Sequence, residues 1–203
     1  LVTATHGESR YNIAPSQEVP VFVTSADGAT VRLMRWGLVP SWARDTKIAY
    51  ATINARVETV AEKPAFRGAW RAHRRALVPA TGWYEWKAVG TLKQPYYVSA
   101  SDGNPQMLGA LWERWLDPQG AELHSCAIIT VPVRPELAAV HDRMPLVLAP
   151  AQWAGWLDPK LPQVPAVLEA AALPYTFTTV ARTVNSVRND GPELVRPLFG
   201  LAQ

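Results

Sequence analysis

The chain has 203 residues, a net charge of +3, and 48% hydrophobic against 18% charged residues, which suits a core-forming globular protein of one large domain or two small ones. So small a positive excess does not by itself establish a nucleic-acid partner, and the lack of any apolar run of about 18 residues argues against a membrane span. A single cysteine, Cys126, rules out an internal disulfide, suits a reducing compartment and argues against a cysteine-built zinc site.

Leu1 to Thr5 is β-branched and strand-like, and His6-Gly7-Glu8-Ser9 reads as a turn. Arg10 to Pro15 leads into a strand predicted at Val19–Thr24. Ser25-Ala26-Asp27-Gly28 is a hairpin signal, and Thr30–Trp36 alternates as the return strand. Trp36-Gly37-Leu38-Val39-Pro40-Ser41-Trp42 is a loop rich in apolar residues, which either folds over the core or offers a binding surface. Ile53 to Thr59, if extended, sets Asn54, Arg56 and Glu58 on one side and Ile53, Ala55 and Val57 on the other. Asn and Arg supply donors for an oxygen-rich ligand, and Glu58 can orient Arg56 by a paired hydrogen bond. The same pattern also fits an ordinary half-buried strand. Lys63–His73 has helical spacing. Arg71, Arg74 and Arg75 crowd around His73, as a phosphate-binding cluster or a solvated basic face would.

Pro79 to Lys87 is predicted to be a strand leaving a hinge at Gly82. Alternation puts Trp83, Glu85 and Lys87 on one face and Tyr84 and Trp86 on the other. A carboxylate among large aromatics loses hydration, which lifts its pKa towards neutrality, where a general acid or base works best. The plainer alternative is a surface strand with Glu85 paired to Lys87. Gln94–Ser99, Met107–Trp115 and His124–Thr130 read as three further strands. His124 and Cys126 share a strand face, as a base and nucleophile would, but apolar Ala127, Ile128 and Ile129 fit an inert core thiol better. Arg134–Val140 is expected to be a short helix. It runs into His141-Asp142-Arg143-Met144-Pro145, a titratable ring with polar neighbours. A strand at Leu146–Leu148, helices at Pro150–Leu157 and Val164–Ala172, a strand at Phe177–Val180 and a polar loop at Asn185–Gly191 complete the chain. The 18 prolines imply many loops. No metal-ligand spacing, phosphate loop, dinucleotide fingerprint or nucleophile elbow is present, and no cofactor is expected. No linker or repeat divides the chain, so residues 1–203 read as one domain.

Several of these stretches together resemble the SOS response-associated peptidase family. They are Arg10-Tyr11-Asn12-Ile13-Ala14-Pro15, Trp36 to Trp42, Ile53 to Thr59, Gly82-Trp83-Tyr84-Glu85-Trp86-Lys87 and His141-Asp142-Arg143-Met144-Pro145. Val184-Asn185-Ser186 and Asn189-Asp190-Gly191 look like the family's C-terminal loop. Each motif alone is weak, but their number and order span nearly the whole chain. The resemblance implies a single α+β domain of curved, barrel-like antiparallel sheets with peripheral helices and a positively charged DNA groove. It implies as partners single-stranded DNA containing abasic sites, and junctions of single and double strands. Such DNA is captured covalently through a cysteine at the mature N-terminus, exposed on removal of the initiator Met, with lyase- and autopeptidase-like activity. Asn54 matches the asparagine beside the crosslink, Glu85 the catalytic glutamate and His141 the active-site histidine. Arg56, Arg71, Arg74 and Arg75 become candidates for phosphate contact. Trp36, Pro40 and Trp42 become candidates to stack on or wedge between bases. A cytoplasmic monomer, nucleoid-associated when bound to DNA, is expected.

The implied chemistry is coherent. A terminal amine of pKa ~8 attacks the ring-opened sugar aldehyde to give a Schiff base, which the adjacent thiol closes to a thiazolidine. Both steps move protons, a task for Glu85. The family's Cys-Gly-Arg does not occur among the 203 residues, and Leu1–Thr5 looks like the strand that follows it. The nucleophile is therefore expected in a segment before Leu1, and a further stretch of the family's pattern between Thr5 and His6; truncation, or a natural member lacking the nucleophile, are the alternatives. Two other functions stay open: a non-covalent single-stranded DNA-binding module of the same fold, and a thiol peptidase acting on other proteins.

Overall fold

The computed structural model describes residues 1, 3–5, 8–25, 28–160, 171 and 173–198. In chain order the elements are β1 (Thr3–Thr5), β2 (Glu8–Arg10), β3 (Glu18–Ser25), β4 (Gly28–Trp36), β5 (Asn54–Arg56), α1 (Arg67–Arg71), β6 (Arg75–Ala80), β7 (Gly82–Val89), β8 (Leu92–Ala100), β9 (Gln106–Leu116), β10 (Glu122–Pro132), β11 (Arg143–Pro145), β12 (Val147–Leu148), α2 (Pro150–Leu157) and β13 (Tyr175–Thr179).

The core follows from side-chain alternation. On β3, Val19, Val21 and Val23 are buried at a spacing of two, the period of a strand with one face inward. On β10 every residue from Ser125 to Val131 is buried. That continuous run reflects its position, because β10 pairs with β9, β4, β5 and β11 along its length. Strand pairing runs from β10 to β4, β3, β6, β9 and back to β10, closing a five-stranded barrel in which β4 meets β10 at Arg35 and Trp36 alone. The barrel-like antiparallel expectation holds for four of these five pairings. The closing pair, β10 with β4, is parallel, and so is β10 with β5.

A second sheet, ordered β13, β8, β7, grows out of the barrel where β6 bends into β7. The bend sits at Thr81-Gly82, as the hinge reading of the sequence requires. A Cβ at Gly82 would lie 2.3 Å from the Val98 carbonyl oxygen and 2.6 Å from the Tyr97 ring, so only glycine lets β8 approach. Gly82→Ala is expected to cost about 1–3 kcal/mol through overpacking against backbone. Chemical denaturation measures this, and a variant as stable as the parent would contradict it.

Two predicted helices are shorter than expected. Of Lys63–His73, only Arg67–Arg71 is α-helical. His73 adopts a left-handed φ of 52°, and the Arg74 N–H bonds back to the Ala69 carbonyl at 3.0 Å while the His73 N–H bonds to that of Trp70 at 3.1 Å, the bonding that stops a helix. Arg134–Val140 is reduced to a 3-10 turn at Pro135–Leu137, because the chain must double back between Pro132 and Arg143 to pair β11 antiparallel to β10. The helix at Pro150–Leu157 forms as predicted. Of the predicted turn His6-Gly7-Glu8-Ser9, Glu8 and Ser9 belong instead to β2, paired with β1; His6-Gly7, the hairpin tip Ala26-Asp27 and, apart from Ala171, the predicted helix at Val164–Ala172 lie outside the described residues. Among the described residues no helix is long and apolar enough to cross a membrane.

Candidate active site

The site is built on one face of β7. Trp83 is buried and meets Tyr175 edge-on at 5.8 Å, anchoring that face to the core. Two residues on, the same face presents Glu85, whose side chain keeps only 21% of its exposure. Burial lifts the Glu85 carboxyl from its ordinary 4.5 to about 7. His141 and the Trp83 indole N–H oppose the lift by favouring the charged form, and Asp142 adds to it. That indole nitrogen is buried and, among the described residues, makes no hydrogen bond of ordinary geometry, so its N–H is left to the Glu85 carboxylate, towards which it acts.

His141 enters from the turn that precedes β11. Its Nε2 lies 3.9 Å from Glu85 Oε2, too far for a direct hydrogen bond and suited to a bridging water or substrate oxygen. The Arg143 backbone N–H donates to His141 Nδ1 at 3.0 Å. The neutral ring carries its proton on Nε2, towards Glu85, when Nδ1 accepts that bond, and on Nδ1 when it donates to the Arg143 carbonyl 3.1 Å away. Asp142 Oδ1 is 3.2 Å from Nδ1.

Arg143 fixes this corner. Its two terminal nitrogens donate to Glu58 Oε1 and Oε2 at 2.6 and 2.9 Å, and Nη2 also donates to the Thr130 carbonyl at 2.6 Å. The sequence assigned Glu58 to Arg56. The structure corrects this: β5 ends at Arg56, the chain turns, and both Glu58 oxygens meet Arg143, with Arg56 contributing only a longer-range attraction. That pairing holds the Glu58 carboxyl below its usual value. Asn54 and Arg56 are exposed on β5, in register with Ile128 and Thr130. Arg56 is thus opposite Thr130, whose carbonyl takes Arg143, and Asn54 lies two residues before it on the same face, whereas Glu85 and His141 face each other directly.

The candidate DNA contacts separate. Trp36 is half-buried, its indole N–H donating to the Ile53 carbonyl at 2.9 Å, and Pro40 is buried. The loop between them folds onto the core at Gly37, whose φ of 124° and 2.6 Å Cβ distance to the Ala49 carbonyl oxygen admit no side chain. Of that trio only Trp42 is free to stack, at 58% exposure. Tyr50, 69% exposed, joins it as an aromatic that no sequence pattern marked. The basic cluster is also broken up. Arg74 pairs with buried Glu113 and lies over Trp112. Arg75 is buried over Trp156, with Nη2 2.8 Å from His73 Nδ1. Arg71 remains exposed.

The opposite face of β7 carries a clamp. The Asp190 carboxylate accepts the Tyr11 and Asn12 N–H groups at 2.5 and 2.7 Å and Arg10 Nε at 2.6 Å. Asn12 Nδ2 in turn lies 3.0–3.1 Å from the carbonyls of Val184, Ser186 and Asn189. Tyr84 donates to the Tyr11 carbonyl and Trp86 to Asn185 Oδ1, both at 2.8 Å. Leu1 and Ile13 exchange backbone hydrogen bonds beside it. Two motifs from opposite ends of the chain thus brace the Glu85 strand from behind. Cys126 is fully buried, and burial pushes its thiol up to about 12, which removes it as a nucleophile.

The family model described as SOS response associated peptidase (SRAP) matches residues 2–187. Abasic site processing protein YoqW of Bacillus subtilis is 37% identical over 191 residues, covering 91% of this chain and 84% of that protein. Abasic site processing protein YedK of Escherichia coli is 31% identical over 194 residues, covering 93% and 85%. A crystal structure of a protein from Bacteroides thetaiotaomicron superposes with a TM-score of 0.78 at 29% identity, covering 90% of this chain and 82% of that one. The chain belongs to the SOS response associated peptidase family.

Proposed function

We propose that this protein processes abasic sites in single-stranded DNA, and at single-strand to double-strand junctions, by covalent capture of the abasic sugar. The observation that carries this is the Glu85 carboxyl, lifted to about 7 and 3.9 Å from His141. A carboxyl near neutrality both donates and accepts a proton at physiological pH. The proteins similar to this chain are named for abasic site processing.

The nucleophile is a cysteine N-terminal to Leu1, freed by removal of an initiator Met. Its α-amine adds to the sugar aldehyde, one water leaves and an imine remains. The thiol sulfur then bonds to the imine carbon and the nitrogen takes up the thiol proton, giving a thiazolidine. Glu85 protonates the departing hydroxyl and recovers the proton from the amine, His141 holds the water or sugar oxygen between them, and Asn54 hydrogen-bonds the sugar. Arg56 and Arg71 meet phosphate and Trp42 stacks on a base.

Incubating the natural full-length protein with an abasic single strand tests this. A denaturing gel and intact mass are expected to show an adduct weighing protein plus DNA less one water. Cys126→Ser is expected to form it as readily as the parent. DNA retention without any denaturant-stable adduct would instead support a binding module. Cleavage of an unrelated peptide would support a peptidase acting on other proteins.

Binding is expected to fall steeply with salt, because phosphate contacts release counterions. Arg56→Ala should reduce the magnitude of the logarithmic salt slope by about 1. Trp42→Ala should weaken binding by ~1–3 kcal/mol without changing that slope. Titrations across ionic strength check both, and a flat salt dependence of the parent would contradict the phosphate contacts.

A further inference from the structure

The face of β7 that carries Glu85 continues sideways into an aromatic strip. Strand register sets Glu85 opposite Tyr96 on β8, Tyr96 opposite Thr179 on β13, and Val98 opposite both Trp83 and Phe177. Residues opposite one another on antiparallel strands point the same way, with Cβ atoms ~4.5–5.5 Å apart. Glu85, Tyr96 and Phe177 therefore share one face. The Tyr96 and Phe177 rings lie together, centroids 6.4 Å apart and planes tilted by 60°. Phe177 is 43% exposed and Tyr96 half-buried. Among the described residues neither ring belongs to a packed hydrophobic cluster, so their contact is not explained as core.

The strip is small and its borders are polar. Lys87, two residues beyond Glu85 on the same face, lies opposite Gln94, and Thr179 stands beside Tyr96. Two wet rings with an ammonium at their margin match one nucleobase and its phosphate, since bases stack on aromatic faces while cations hold the backbone. A protein partner would need a broader apolar face. The strip begins one strand spacing, ~4.8 Å, from Glu85, within reach of the nucleotide next to a sugar held there.

We propose that Tyr96 and Phe177 form a base-stacking subsite for the nucleotide flanking the abasic sugar, with Lys87 on the phosphate between them. The subsite presupposes the abasic-strand function proposed above.

The test uses the full-length protein and two fluorescent single-stranded oligonucleotides. One carries a single abasic site flanked by purines. In the other the flanking nucleotides also lack their bases. Phe177→Ala removes the ring, Phe177→Leu removes it while keeping apolar bulk, and Tyr96→Phe keeps it; thermal unfolding verifies that each variant folds. Both Phe177 variants are expected to bind the purine-flanked strand roughly 5- to 100-fold more weakly than the parent. They should bind the base-free strand like the parent, and Tyr96→Phe should match the parent on both. Lys87→Ala should lower the magnitude of the salt slope by about 1. Unchanged binding of the purine-flanked strand, or an equal loss on both strands, overturns the subsite and leaves the abasic-strand function standing. If the parent binds neither strand, the function fails and the subsite with it.

Discussion

Glu85→Gln is expected to slow capture of abasic DNA by ~10²–10⁴-fold while leaving DNA affinity close to that of the parent. Glutamine matches the carboxyl in shape but cannot exchange a proton with the amine, the departing hydroxyl or His141. The parent's rate should bend near pH 7, where the lifted Glu85 carboxyl changes form, and the variant's profile should lose that bend. Single-turnover gel assays from pH 5 to 9 measure both, and an unchanged bend in the variant would remove Glu85 from the chemistry.

The same lifted carboxyl predicts a stability effect that is independent of function. Its folded-state pKa of about 7 lies above the ordinary 4.5. Between those values the folded protein holds a proton that the unfolded chain has lost, so stability falls as pH rises through the window. A shift of this size corresponds to on the order of 3 kcal/mol. Glutamine carries no charge to desolvate. Glu85→Gln should therefore unfold at a higher temperature than the parent at pH 8, and the gap should close by pH 5. Thermal melts at the two pH values decide the matter, and a variant less stable than the parent by the same amount at both would refute the desolvated carboxyl.

How much of this was legible in the sequence depends on which interactions set each feature. Strand alternation is local, so the faces of Trp83-Tyr84-Glu85-Trp86 followed from spacing alone, and Glu85 has the environment that its aromatic neighbours implied. The basic cluster misled because charge in a sequence says nothing of cover. Arg75 begins a barrel strand beneath α2, and Arg74 meets Glu113, a partner 39 residues away. Glu58 went to the wrong arginine for the same reason: Arg56 is near in sequence, but the β10–β11 pairing delivers Arg143. Helix lengths failed at their ends, where a left-handed His73 and the return to β11 intervene. The clamp between Arg10-Tyr11-Asn12 and Asp190 spans nearly the whole chain. The resemblance singled out both segments, but nothing local showed that one binds the other.

Asp190→Ala should destabilise the protein by about 2–4 kcal/mol. It removes a carboxylate that accepts three hydrogen bonds, and bonds to charged groups contribute ~1.5–3 kcal/mol each without adding fully. It also leaves the Tyr11 and Asn12 N–H groups without their acceptor. Burial raises the Asp190 pKa, but the bonds from Arg10, Tyr11 and Asn12 outweigh it and hold the carboxyl below 3.8. The sign is thus opposite to that of Glu85. This stabilisation is fully present above pH 3.8 and fades as acid protonates the folded carboxyl. Asp190→Asn keeps an oxygen for the two N–H groups but loses the charge and the acceptor that Arg10 Nε uses, so its penalty should be smaller than that of alanine, which loses all three bonds. The penalty should shrink further as pH falls through and below 3.8. Because Tyr84 and Trp86 bond to the two clamped segments, hydrogen exchange in Asp190→Ala should speed up at Tyr11, Asn12 and the β7 amides before it does in β10. Denaturation curves at pH 7 and pH 3 together with exchange profiles measure these effects. Uniform exchange across β7 and β10, or a penalty that persists undiminished at pH 3, would show that Asp190 does not brace the Glu85 strand.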